Sequence, residues 1–186
     1  WQQHIRPFQG ALQAHPAGVM PAYSILQELE LDGQALEQVG VGYNRYLLTD
    51  VLRGQLDFDG VIVSDWAITK DCSIECIEGH PEGEPPSFAT VSTAWGVRDL
   101  SRVERFARGI EAGLDIFGGE DDPQPIIEAV EQGLVTEAQI DAAVTRILTQ
   151  AFALGLFDNP FVDPAAAEAQ IGTPDEIAMG RRAMAE

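Results

Sequence analysis

The stretch FDGVIVSDW, residues 58–66, decides the interpretation of this chain. Phe58-Asp59-Gly60 has the composition of a turn, and Val61-Ile62-Val63 is then a β-branched run without polar alternation. Such a run is typical of a parallel strand that is buried on both faces. Asp65 follows at the carboxyl end of this predicted strand, where parallel α/β folds collect their functional side chains. By local rules alone, an Asx turn or a loop cap explains Asp65 equally well.

Two more short apolar segments and several amphipathic helices surround this strand. Residues 18–24 and 114–117 predict neighbouring strands, and residues 1–14 and about 35–56 predict helices. Later helices are expected at four capping signals: Ser101 with Glu104, Asp122-Pro123, Thr136 with Gln139, and Thr173-Pro174 with Glu176. Strands that alternate with helices indicate an α/β fold with right-handed βαβ units. Three strands make a poor free-standing sheet, so the chain is interpreted as part of something larger.

Composition and charge exclude several classes of protein. The 186 residues are 45% hydrophobic and 22% charged, which is typical of a globular domain. The net charge of −19 disfavours binding to nucleic acids and to anionic membrane surfaces. No apolar run approaches the roughly 20 residues of a membrane-spanning helix. The sequence starts at Trp1 without a signal-like segment, which indicates a mature, trimmed or excised product.

A long segment without periodicity, residues 67–95, separates the predicted central strand from the next helix. Its length indicates either a functional loop or an insertion. Cys72 and Cys76 lack the CxxC form and a nearby histidine, so incidental thiols or one local bridge fit better than a redox or zinc site. The acidic run 118–122 suggests a cation site, but it lacks the alternate spacing of a calcium loop, and Asp122 serves equally as a helix cap.

Five stretches, in order along nearly the whole chain, resemble glycoside hydrolase family 3. They are residues 18–23, 47–54, 58–66, 112–115, and Arg146-Ile147-Leu148 through Gly155-Leu156-Phe157. The pattern LLxxxLR…FDGxxxSDW is their most specific part. The resemblance implies the C-terminal portion of a (β/α)8 TIM-type barrel, about three parallel strands with helices, incomplete on its own. Residues 1–157 would be the last three β/α units, and residues 158–186 a linker and helix leading toward a second α/β domain.

The resemblance also implies a retaining, exo-acting β-glycosidase of the β-glucosidase or β-xylosidase type. In that family the Asp of the SDW motif is the nucleophile, which Asp65 matches, while Tyr23, Trp66 and Met20 match substrate-binding positions. A phenol can hold a carboxylate by a charge-assisted hydrogen bond, and an aromatic face suits the CH face of a pyranose. Without the resemblance, Tyr23 is equally well explained as a core residue.

A retaining mechanism needs a second carboxyl group about 5–5.5 Å from the nucleophile. In the family the acid/base Glu usually lies in the second domain, so we expect it outside this chain. Four acidic residues of the long loop are candidates that nothing in the sequence places: Glu75, Glu78, Glu82 and Glu84. The family's Lys-His pair has no counterpart, and the region Lys70-Asp71 lacks an Arg that many relatives carry, which leaves sugar specificity open.

The implied substrate is a β-linked oligosaccharide or an aryl or alkyl glycoside, and the implied partners are the missing barrel half and second domain. No metal or organic cofactor is expected, because the chemistry needs two carboxyl groups and water. Trp95 of the long loop is a candidate contact for an aglycone. The acidity fits a secreted or periplasmic protein, and the chain alone is expected to be inactive. The alternative is a non-catalytic carbohydrate-binding or structural half-barrel, in which Asp65 would bind a sugar hydroxyl.

Overall fold

The computed structural model describes residues 2–71, 82–83 and 94–185. The helices of these ranges are α1 (Gln2–Leu12), a 3₁₀ helix (Val41–Tyr43), a π-helix (Tyr46–Gln55), α2 (Arg102–Ala112), α3 (Gln124–Glu131), α4 (Glu137–Ala153), α5 (Pro164–Gln170) and α6 (Pro174–Ala185). The strands are β1 (Gly18–Val19), β2 (Glu30–Leu31), β3 (Gln34–Ala35) and β4 (Val61–Ile62). None of the helices in the described ranges is both long and apolar enough to span a bilayer.

A small parallel sheet carries the segment from which the sequence analysis began. Strand β1 pairs in parallel with β4, with Gly18 opposite Val61. On the other side, Val63 forms a parallel bridge with Ile116, so the three predicted strand segments lie side by side with β4 in the centre. Ile62 has no exposed surface, as the unbroken β-branched run predicted. The described residues thus combine two parallel strands and a third extended segment with helices, and they do not form a closed barrel.

A β-hairpin lies just before the segment that the apolar spacing predicted to be helical from about residue 35. Strands β2 and β3 pair antiparallel around Asp32 and Gly33, whose φ angles are 51° and 76°. Two successive residues with positive φ make the tight turn that matches the twist of a hairpin. The first part of the predicted helix contains only the short 3₁₀ helix, and the long helix begins at Tyr46. It ends with the Leu56 N–H bonded to the Val51 carbonyl, 2.9 Å away.

The structure confirms three of the four capping signals; at the fourth, Asp122-Pro123, the helix begins one residue later than predicted, at Gln124. Ser101 and Glu104 form both bonds of a capping box at the start of α2, 3.3 and 2.7 Å long. Hydrogen bonding by Ser101 to the Glu104 carboxylate lowers the pKa of Glu104. Thr136 and Gln139 form the equivalent pair of bonds before α4. Helix α2 packs on α3, and its buried face joins the main core. That core consists mainly of Tyr43, Leu48, Ile62, Phe106, Ile110, Leu114 and Phe117.

A buried carboxylate, that of Asp115, belongs to one of the stretches that carry the family resemblance and binds residues of three others. The side chain of Asp115 has no exposed surface. One oxygen accepts from Arg53 Nη2 at 2.7 Å and from the Ile62 N–H at 2.8 Å. The other oxygen accepts from Arg146 Nε at 2.8 Å and Nη2 at 2.7 Å. Asp115 therefore connects the π-helix and α4 to the central strand. The contact on that strand is at Ile62, three residues before Asp65.

The chain divides into two compact units, residues 1–150 and 151–186. In the second unit α5 begins at Pro164, with Asp163 accepting from the Ala165 N–H at 2.9 Å. The predicted linker is therefore helical at its end. Thr173 and Glu176 form the predicted capping box before α6.

Candidate functional site

The backbone around Asp65 is held by the sheet and by the turn after the third extended segment. The Ser64 N–H donates to the Ile116 carbonyl at 2.8 Å. The buried Ser64 hydroxyl donates to the Asp65 carbonyl at 2.7 Å and accepts from the Gly118 N–H at 2.9 Å. Asp65 Oδ1 accepts from the Trp66 N–H at 2.7 Å, so the carboxylate itself has one local hydrogen bond. The Asp65 carboxylate therefore stands at the carboxyl end of the central strand on a fixed backbone.

The Asp65 carboxylate takes part in none of the ion pairs among the described residues. Within residues 2–71, 82–83 and 94–185, no arginine, lysine or histidine lies within 4.0 Å of its carboxylate. Asp115, in contrast, is neutralised by two partly buried arginines, Arg53 and Arg146. The difference distinguishes a carboxylate that stabilises the fold from one that is half-exposed at a strand end.

Tyr23 lies beside Asp65. Its hydroxyl donates to the Trp66 carbonyl oxygen at 2.7 Å. Burial, together with the nearby Asp65 carboxylate, raises the pKa of Tyr23 to about 12. The phenol consequently keeps its proton at neutral pH and remains a hydrogen-bond donor at this site. The structure thus brings together Tyr23, Asp65 and Trp66, as the sequence analysis expected.

Trp66 and Met20 present exposed apolar surface at the same end of the sheet, with 62% and 60% of their surface exposed. Gly119 lies against the indole of Trp66: a Cβ on Gly119 would come 2.6 Å from the ring. A Cβ on Gly118 would come 2.7 Å from the Ser64 carbonyl oxygen. The two glycines therefore allow the turn to pack directly against the segment that carries Asp65.

The acidic run that suggested a cation site is used in ion pairs and capping. The two oxygens of Glu120 accept from the Thr69 hydroxyl and, at 2.8 Å, from Arg102. Asp122 accepts from Arg102 at 3.1 Å and from the Gln124 N–H at 3.0 Å, as a helix cap does. Across the described ranges, no cluster of three or more His, Cys, Asp or Glu side chains could hold a metal ion.

The segment that leaves Asp65 is fixed by contacts that sequence reasoning missed. The Ala67 N–H donates to the Gly118 carbonyl at 2.7 Å. The Tyr43 hydroxyl donates to the Ile68 carbonyl at 2.6 Å, and burial raises the pKa of this phenol. Arg105 binds the Thr69 carbonyl and Asp71. No spacing in the sequence marks Arg105, because it lies within an ordinary capped helix.

The remaining candidates lie around the long segment. Trp95 is 38% exposed, and its carbonyl accepts from the Gly40 N–H at 2.9 Å. Glu82 and Lys70 are exposed. The other residues singled out in this segment lie outside the described residues: Cys72, Glu75, Cys76, Glu78 and Glu84.

Comparisons with known proteins agree with the motifs. Residues 1–150 match the profile of the "Glycosyl hydrolase family 3 N terminal domain". The chain is 49% identical, over 174 residues, to a protein of Dickeya chrysanthemi named periplasmic beta-glucosidase/beta-xylosidase, covering 94% of this chain and 26% of that protein. It is 39% identical, over 181 residues, to beta-glucosidase C of Emericella nidulans, covering 97% and 27%.

A solved β-glucosidase structure from Erythrobacter marinus superposes with a TM-score of 0.66 at 29% identity, covering 96% of this chain and 20% of that one. A second, described as a β-glucosidase involved in saponin metabolism from intestinal bacteria, has a TM-score of 0.61 at 29% identity and covers 92% and 19%. The chain spans about a quarter of the length of the curated relatives it matches.

Proposed function

Because this chain belongs to glycosyl hydrolase family 3, we propose that it supplies the nucleophilic carboxylate, Asp65, of a retaining, exo-acting β-glycosidase. The observation that carries the proposal is the position of Asp65: it ends the central buried strand, lies free of ion pairs among the described residues, and has the Tyr23 phenol beside it. A nucleophilic carboxylate must be ionised and fixed in position. The exposed ring of Trp66 next to it suits the CH face of a pyranose.

In the proposed reaction, an Asp65 oxygen attacks the anomeric carbon of a terminal β-D-glycosyl residue. A glycosyl ester forms as the glycosidic bond breaks, and the leaving oxygen takes a proton from a general acid. Water then attacks the anomeric carbon and gives its proton to the same group, now a base, which releases the sugar and the free carboxylate. Tyr23 would hold the carboxylate region by its hydroxyl, while Trp66 and Met20 would contact the sugar.

The rest of the reaction would depend on other parts of the polypeptide. We place residues 1–157 as the last three β/α units of a (β/α)8 barrel and residues 158–186 as the linker and helix toward a second α/β domain. The general acid, the remaining strands and the groups that clamp the sugar would come from outside this chain. The name of the Dickeya relative supports a periplasmic or secreted location, and the names of the relatives support β-glucosides or β-xylosides as substrates.

The test uses the polypeptide in which this chain occurs, incubated with 2-deoxy-2-fluoro-β-D-glucosyl fluoride. The fluorine at C2 slows the breakdown of the intermediate, so we expect a sugar adduct by intact-mass spectrometry, on the peptide that contains Asp65. Asp65→Asn should abolish the adduct and lower kcat/KM for an aryl β-glucoside at least about a thousandfold. Asp141→Asn, an exposed carboxylate on α4, serves as the matched control.

The carbohydrate-binding alternative makes the opposite prediction. In that case no adduct forms, the folded wild-type protein hydrolyses no aryl glycoside, and Asp65→Asn weakens sugar binding only modestly. This result would refute the assignment of Asp65 as a nucleophile.

A further inference from the structure

Arg105 is a buried cation whose hydrogen bonds join two distant parts of the chain. Its side chain is 4% exposed. Nη1 donates to the Thr69 carbonyl at 3.1 Å and to Asp71 Oδ1 at 2.7 Å. On the other side, Nε donates to the Val97 carbonyl at 3.2 Å and Nη2 to the Arg98 carbonyl at 2.8 Å. One guanidinium therefore fixes both the stretch that leaves the Asp65 site and the stretch that returns to it.

Asp65 itself is held by contacts in which Arg105 takes no part. Ser64 is bonded to the Ile116 carbonyl and to Gly118. Tyr23 holds the Trp66 carbonyl, and the Ala67 N–H is bonded to Gly118. The bonds of Arg105 begin only at Thr69. Its removal is thus expected to loosen the chain at Asp71 and at Val97 and Arg98, and to leave the carboxylate in place.

The returning stretch borders the side of the site that Tyr23 occupies. Trp95 lies two residues before Val97, whose carbonyl accepts from Arg105. The Trp95 carbonyl itself accepts from the Gly40 N–H. A Cβ on Gly40 would lie 2.8 Å from the Tyr23 carbonyl oxygen and 3.8 Å from the Cβ of Trp95. Tyr23 and Trp95 therefore both pack against Gly40, and the Trp95 residue is 38% exposed.

We propose that Arg105 is a positioning residue that determines specificity for the group beyond the scissile bond, because it places the stretch that returns at Trp95. The inference rests on the proposed function of Asp65. A substrate with a large leaving group meets this stretch, whereas the sugar that reacts with Asp65 meets Tyr23 and Trp66. Lysine cannot replace Arg105, since its single ammonium group cannot match the fork of donors that reaches four separate oxygens.

The experiment compares two substrates that carry the same sugar, using the polypeptide in which this chain occurs. β-D-Glucosyl fluoride has only fluoride beyond the scissile bond, and a β-linked glucose disaccharide has a whole sugar there. For Arg105→Met and Arg105→Lys, we expect kcat/KM for the disaccharide to fall at least about tenfold, since small misplacements of binding groups cost up to about a hundredfold. The value for glucosyl fluoride should stay within about threefold, and the Asp65 adduct should still form.

Arg108→Met is the matched control, because Arg108 lies on the same helix and pairs with Glu37 and Glu111 at the surface. It should leave the ratio of the two kcat/KM values unchanged. If neither Arg105 variant folds, Asp71→Asn decides the question: Asp71 is 92% exposed, and asparagine keeps a side-chain oxygen that can accept from Arg105 while it removes the negative charge of the pair. Its kcat/KM ratio should shift in the same direction by a smaller factor.

Equal losses for both substrates, or no change in their ratio, would overturn the role of Arg105 while the Asp65 adduct in wild type upheld the proposed function. If the wild type formed no adduct and had no turnover, the proposed function would fail, and this inference with it.

Discussion

At the scale of single residues, the absence of a side chain at Gly119 allows the indole of Trp66 to pack directly against the backbone of the turn. The φ angle of Gly119 is 71°, and a Cβ there would come 2.6 Å from the Trp66 indole. The position of the exposed Trp66 ring therefore depends on a residue in a different turn, which is adjacent to it in space and 53 positions away in the numbering.

Gly119→Ala should therefore destabilise the fold and displace Trp66. Gly133→Ala is the matched control, because Gly133 has a φ of 72° and nothing within 4 Å of its Cβ position. The left-handed backbone alone costs roughly 1–2 kcal/mol for a residue with a Cβ. Urea unfolding should show a larger loss for Gly119→Ala than for Gly133→Ala, together with a change in near-ultraviolet circular dichroism of tryptophan. Equal losses and unchanged spectra would contradict the contact.

Single residues also show how far the sequence predicts the candidate site. Asp65, Tyr23 and Trp66 were predicted because a strand end and a motif identify them, and the structure places them together. Gly119 and Arg105 were not predicted as site residues. Their roles come from tertiary neighbours far along the chain, and neither residue type, periodicity nor capping reports such contacts.

At the scale of elements, the buried charge of Asp115 holds the π-helix, α4 and the central strand together. Asp115→Asn should be strongly destabilising, because it leaves two arginines without their negative partner, 17% and 29% exposed in their side chains. Breaking a buried pair in this way costs about 3–5 kcal/mol.

The loss can be measured as the change in the free energy of unfolding in urea. Asp141→Asn, an exposed change of the same kind, should have an effect of less than about 0.5 kcal/mol. If the two variants were equally stable, the Asp115 contacts would contribute nothing beyond a surface carboxylate.

Elements also differ in how well local patterns predicted them. The capping pairs located the starts of α2, α4 and α6 because a cap is a contact within three residues. The hairpin was not predicted although Asp32-Gly33 is a strong hairpin signal, and the start of the following helix was placed too early because apolar residues are spaced by four from Val39 on. A 3₁₀ helix and a π-helix in succession produce a similar spacing, so periodicity could not separate the possibilities.

At the scale of the whole molecule, the chain leaves apolar surface that its own described residues do not cover. Helix α4 carries an apolar stripe that includes Val144 and Leu148, which are 43% and 40% exposed. A barrel assigned by resemblance would cover such a stripe with parts that the chain does not contain. The sequence predicted the amphipathic helix correctly. The spacing of apolar residues indicates that one face of a helix is apolar, but it does not indicate which part of the protein covers that face.

The isolated chain should therefore bind a hydrophobic dye such as ANS, and the paired substitution Val144→Ser with Leu148→Ser should lower the fluorescence. Ala142→Ser, at an exposed position of the same helix, should leave it unchanged. Far-ultraviolet circular dichroism serves as the check that helix content is retained. If the paired variant and the control bound the dye equally, the stripe would not be an exposed apolar surface.

The Arg105 contacts also have a consequence for how the molecule tolerates insertions. Arg105 donates to Thr69 and Asp71 on one side and to Val97 and Arg98 on the other. These bonds hold together the two ends of the chain segment that lies between them in sequence. The entropy of closing a flexible loop grows only with the logarithm of its length, so doubling the loop adds about 0.6 kcal/mol. Segments of different length and composition can therefore be exchanged between these anchor points at small thermodynamic cost, which makes this position a natural place for grafting new specificity loops by engineering or by recombination.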